Sequence, residues 1–197
     1  MNVTIRQFGS FASILSGLLL FAAHLTEEIS SSDILIVFAK NLVLVAHLTM
    51  VFALISVYET HTRTRRLGML GLLFSTFGTM FVSAIVLVEI AGVSNTSAAA
   101  IQKASEIQWI VTSGPLLFVF GILILGVQLI KSGTRTKQAG ILLILGTIVF
   151  AAAGYTSGAA SIFVIAGSGL TSAGFILLGK PLRQGKPAAG RQITRVM

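Results

Sequence analysis

The sequence predicts an all-α integral membrane protein: six transmembrane helices in one bundle, with N- and C-termini cytoplasmic. Three observations predict it. The 197 residues are 54% hydrophobic and only 10% charged, with a mean hydropathy of +0.93, far from the charged surface a soluble domain needs. The apolar residues gather into six stretches, each near the roughly 20 residues that cross a ~30 Å hydrocarbon core as helix. The positive charge is confined to the N-terminus, every second gap and the tail, which hold 12 of the 14 basic residues. By the positive-inside rule these segments are cytoplasmic.

The first span covers Phe8 to Thr26, after Arg6. Its apolar run is long for a signal peptide, and Phe21-Ala22-Ala23 is a poor small-x-small cleavage site, so it is read as a retained span. The second covers Ile34 to Tyr58, followed by Arg63, Arg65 and Arg66. The third covers Leu67 to Gly92. The gap from Val93 to Gln108 is the one long external loop, read either as a plain connector or as a short interfacial helix over Ala98 to Ile107 capped by Thr96 or Ser97. Asn95-Thr96-Ser97 matches a glycosylation acceptor, a pattern common by chance. The fourth span covers Trp109 to Ile130 and contains Gly114-Pro115, which predicts a kink. Lys131, Arg135 and Lys137 follow it. The fifth, Ala139 to Tyr155, is short and should stand nearly upright. The sixth, Ala159 to Gly179, ends the transmembrane domain (1–179). The basic tail (180–197) carries Lys180, Arg183, Lys186, Arg191 and Arg195. No stretch alternates apolar with polar, so strands are not expected.

Composition excludes several functions. Without cysteine there are no disulfides, no thiolate catalysis and no Cys-ligated metal. The net charge of +8 lies beside apolar spans rather than on a stripe with interleaved aromatics. The expected partner is therefore the bilayer, with anionic lipid heads on the cytoplasmic side, and not nucleic acid. Partner membrane subunits or a homo-oligomer remain open. Thr62-Arg63-Thr64-Arg65 and Thr134-Arg135-Thr136-Lys137, each followed by Gly, are a weak internal echo. A duplicated helical hairpin would account for it, and two independent basic turns account for it slightly better.

Small residues crowd the second half, as in 166–174, where backbones can approach closely in lipid. On the third span Gly71, Ser75, Gly78 and Val82 share a face that Glu89 continues, which points Glu89 into the bundle.

Ionisable residues inside spans mark the candidate site, because intramembrane charge needs a partner or a task. His24 with Glu27 and Glu28 (i+3, i+4), Lys40 with Asn41, and Glu89 come from three spans and share a depth near the external face. Gln108, Thr112, Ser113, Tyr155 and Thr156 could join them from the same side. The all-structural alternative is a snorkelling Lys40, an interhelical Lys40–Glu89 pair and carboxylates that end a helix among headgroups. His47 lies deeper on the Lys40 face. Its depth differs from that of His24 by roughly 12 Å at ~1.5 Å per residue, which disfavours a bis-histidine haem. Zinc lacks a ligand pattern, and the sequence assigns no cofactor. No phosphate loop or nucleophile elbow is present.

In size, helix number and orientation the chain resembles the vitamin-capturing substrate subunits of energy-coupling transporters. The likeness is architectural and carries no shared motif. The short first external gap, Glu27 to Asp33, departs from their long capping loop. The leading expectation is a small multipass binding or transport-type protein. Its outward pocket would accept a small amphiphile, cation or proton. The alternatives are an integral-membrane enzyme doing acid–base chemistry on a lipid or isoprenoid, and a non-catalytic accessory subunit of a larger membrane complex.

Overall fold

The computed structural model describes residues 3–61, 65–94, 96–156 and 158–184. Arg63, Asn95, Lys186, Arg191 and Arg195 lie outside these residues. Seven α-helices follow in order: α1 (Val3–Ile29), α2 (Asp33–His61), α3 (Arg65–Ser94), α4 (Thr96–Lys103), α5 (Gln108–Ser132), α6 (Thr134–Ala152) and α7 (Ala160–Gln184). Short 3-10 turns cover Ser105–Ile107 and Ala153–Tyr155. Among the described residues there is no strand. Six helices are long and apolar enough to cross a membrane, as the six apolar stretches require.

Most of these helices outrun their apolar stretches, because polar flanks continue a helix once it is nucleated. The extension is largest at α1, which begins at Val3 and runs on to Ile29, and α7 likewise continues through Lys180 to Gln184. The loop helix forms two residues earlier than expected and breaks at Ala104 into a 3-10 turn. The α5–α6 turn is a single residue, Gly133, with φ 152°. This is backbone that glycine tolerates and a side chain does not.

The helices form a closed ring in the order α1, α2, α3, α5, α6, α7, with α7 returning to α1. α4 lies at one end, against α3 and α5. Apolar attraction between helices is weak in lipid, so backbone proximity and hydrogen bonds must hold the ring. Both are present. Ser10 and Ser13 donate to the Gly179 and Phe175 carbonyls of α7 at 2.6 Å each, and Ser172 of α7 donates to Gly17 O at 2.5 Å. On α3, Ser75 packs so closely on α5 that a Cβ at Gly121 would fall 2.1 Å from the Ser75 backbone nitrogen. The face carrying Gly71, Ser75 and Gly78 is therefore the α5 contact. At Gly167 of α7 a Cβ would fall 2.4 Å from the Phe150 nitrogen of α6.

The half of the bundle away from α4 is solid. Met50, Leu54, Ile122, Leu125, Leu143 and Phe175, from four different helices, are almost fully buried in one cluster. Large apolar side chains instead face outward around the ring, including Phe52, Phe77, Leu87, Phe120, Leu145 and Ile162. Such a circumference is a liability in water and the right surface for lipid.

The close approach of α3 and α5 gives a direct expectation. Gly121→Val forces two backbones apart and should cost about 2 kcal/mol of stability. Gly154→Ala, where no atom lies within 4 Å of the new Cβ, should change stability by under about 0.5 kcal/mol. Thermal unfolding of the two variants in detergent compares them.

Candidate functional site

The site is built around one ammonium group. Lys40 lies two turns into α2, and its Nζ donates to Glu27 Oε1 of α1 at 2.8 Å and to Glu89 Oε2 of α3 at 2.7 Å. Three helices are thus tied at one point. The second oxygen of Glu27 lies 3.9 Å from Nδ1 of His24. The second oxygen of Glu89 accepts from Gln102 Nε2 of α4 at 3.0 Å. Gln108 Nε2 in turn donates to the Gln102 carbonyl at 2.8 Å, which fixes α4 over the site. The Lys40 side chain is 16% exposed and the two carboxylates about 30%. Two carboxylates against one ammonium leave a formal charge of −1. An ammonium has three protons, and the two carboxylate bonds use two of them.

Beneath this cluster lies a cavity of about 690 Å³, lined by all six ring helices. That is within the size range of pockets that hold small molecules. Its walls are mostly apolar, with Val43, Val82, Val86, Val119 and Val164 among them. His47 lines it, 5% exposed, with Nδ1 2.9 Å from the Val43 carbonyl. That carbonyl can only accept, so Nδ1 carries the proton of this bond and Nε2 is the ring's free nitrogen. Thr147, Ser168 and Thr171 line the cavity from α6 and α7. Thr147 is 3% exposed, and its Oγ1 has no hydrogen-bond partner. A buried hydroxyl without a partner among the described residues costs free energy, and it belongs to a residue of the cavity wall.

His24, Glu27, Lys40 and Glu89, drawn together on sequence grounds, do meet. Each of them, with His47, lines the cavity. Glu28 is exposed outside it. Asn41 turns its amide back to the Val37 carbonyl at 2.8 Å and does not line the cavity. Thr112 and Tyr155 line it, whereas Ser113 and Thr156 do not. Ala23, which precedes His24, and Val43 belong to one buried cluster, and His47 is one turn beyond Val43 on α2. Gln102, Thr147, Ser168 and Thr171 escaped the sequence reading. They are small or neutral polar residues, and no charge marks them.

Among the described residues no three His, Asp or Glu side chains converge as metal ligands. The chain matches no family model, and neither a curated protein nor a solved structure is detectably similar to it.

Removing the central charge should expose its structural weight. Lys40→Met leaves Glu27 and Glu89 facing each other and should destabilise the protein by about 2–3 kcal/mol, less than for a fully dry pair. Adding Glu27→Gln and Glu89→Gln should recover most of that loss. Unfolding midpoints of the single and triple variants give the comparison.

Proposed function

We propose that this chain is a multipass membrane protein that binds a small amphiphile in an intramembrane pocket opening toward the outer face. The basic loops and tail favour cytoplasmic termini by the positive-inside rule. The α4 end is then external, and it carries five of the six acidic residues: Glu27, Glu28, Asp33, Glu89 and Glu106. A bacterial cytoplasmic membrane is the simplest setting for a small bundle of this kind.

The observation that carries the reading is the division of the cavity. A polar cluster stands at one end, and an apolar chamber of molecular size lies below it. An amphiphile has the same division. The formal charge of −1 favours a neutral or cationic head over an anionic one. The third Lys40 proton and the second lone pairs of the carboxylates can bond such a head. The chamber is blind, because the Met50–Phe175 cluster fills the other half. A permanently open channel is thereby disfavoured. Binding, or transport with a further conformational step, is favoured.

Two measurements test this. Native mass spectrometry of protein extracted in mild detergent should find a retained small amphiphile. Val86→Trp or Val119→Trp, which fill the chamber, should abolish retention while leaving the helical circular dichroism unchanged. Equal retention by the wild-type and both filled variants would sink the reading. For topology, a phosphatase that folds only in an oxidising compartment should be active when inserted in the 93–108 loop and inactive when fused after 184. The reverse pattern would overturn the orientation.

A further inference from the structure

The cavity has walls of unequal quality. Its lining residues on α1, α2, α3 and α7 are all buried or half-buried. Its exposed lining residues are Thr112, Pro115 and Leu116 of α5, and Phe150, Gly154 and Tyr155 of α6 and the turn that follows. The chamber thus reaches the protein surface along the α5–α6 seam.

The remaining seams of that half are closed by specific contacts. Lys40 bonds α1 to α2 and α2 to α3. Gly78 and Gly114 bring α3 and α5 together, since a Cβ at either would fall under 3 Å from Phe118 or Phe81. Gly146 and Gly167 do the same for α6 and α7, and the Ser172–Gly17 bond joins α7 to α1. For α5 and α6 the tight contacts are at the far end. A Cβ at Gly140 would fall 2.6 Å from the Gly126 carbonyl, beside the one-residue turn at Gly133. The two helices are pinned where they join, and the chamber opens between their other halves.

We infer that the α5–α6 seam is a lateral portal through which the ligand enters from the lipid, not from water. The inference rests on the amphiphile reading above and narrows its ligand class. Leu116 lies eight residues into α5, about 12 Å along its axis. In the proposed orientation this is below the headgroups of the outer leaflet, among acyl chains. The ligand is therefore a molecule dissolved in that leaflet, with an apolar body and a neutral or cationic head. Pro115 equips the threshold. It has no N–H, so the carbonyl of Val111, which also lines the cavity, lacks its helical donor and is free to accept from a passing head.

The absence of native cysteine allows a clean test. Thr147→Cys places one thiol in the chamber, with Ser168→Cys as a second site should the first variant fold poorly. In liposomes of synthetic phosphatidylcholine, lipid-soluble N-ethylmaleimide should modify this thiol at least about tenfold faster than a permanently charged methanethiosulfonate, relative to their rates on a free thiol. Adding Leu116→Trp should slow the maleimide several-fold. Comparable relative rates for the two reagents would overturn the portal in favour of an aqueous mouth, and would leave amphiphile binding standing. An unchanged maleimide rate with Leu116→Trp would also overturn it. Modification by neither reagent would mean a closed chamber, which defeats the portal and the binding reading together.

Discussion

A single ammonium group inside an apolar bundle sets the terms for much of this structure. Lys40 cannot stand alone among valines and leucines, because an unpaired charge in such surroundings costs several kcal/mol. Two carboxylates from two other helices meet it. Each of these has a further polar neighbour, His24 for Glu27 and Gln102 for Glu89. The requirement to satisfy one charge thereby propagates outward until it reaches α4. That helix has little hydrophobic reason to lie where it does, and Gln102 supplies a polar one.

The two halves of the bundle follow different packing rules. Glycine and serine let backbones touch in both halves, but in the half away from α4 large side chains fill what is left. In the other half the wall is built from valines, one-turn-spaced polar residues and ion pairs, which hold helices apart as well as together. The cavity results from combining these rules in one ring. Its blind end and its charged end are both consequences of local side-chain choice rather than of any unusual topology.

The helices were legible because lipid demands long uninterrupted apolar runs, and few other arrangements produce six of them. The glycine face of α3 was legible from helical periodicity, and it led correctly to an inward Glu89. The meeting of Glu27, Lys40 and Glu89 followed from depth, since charge in lipid seeks charge. Other features were hidden for stated reasons. The bond from Gln102 to Glu89 depends on where α4 packs, and counting along each helix cannot reveal it. Thr147, Ser168 and Thr171 look like the packing hydroxyls elsewhere in the chain, where such groups bond their own helix carbonyls. Thr147 differs in making no such bond among the described residues. Asn41, conspicuous as a polar residue beside Lys40, turned back to its own backbone, as short polar side chains in helices commonly do.

The solid half has a consequence of its own. In a bilayer, Phe175, Met50 and their neighbours would form a closely packed, mainly apolar layer, which ions cross very slowly. Such a layer would keep a spanning bundle electrically tight whatever moves into or out of the chamber, and a membrane carrying many copies would hold its potential.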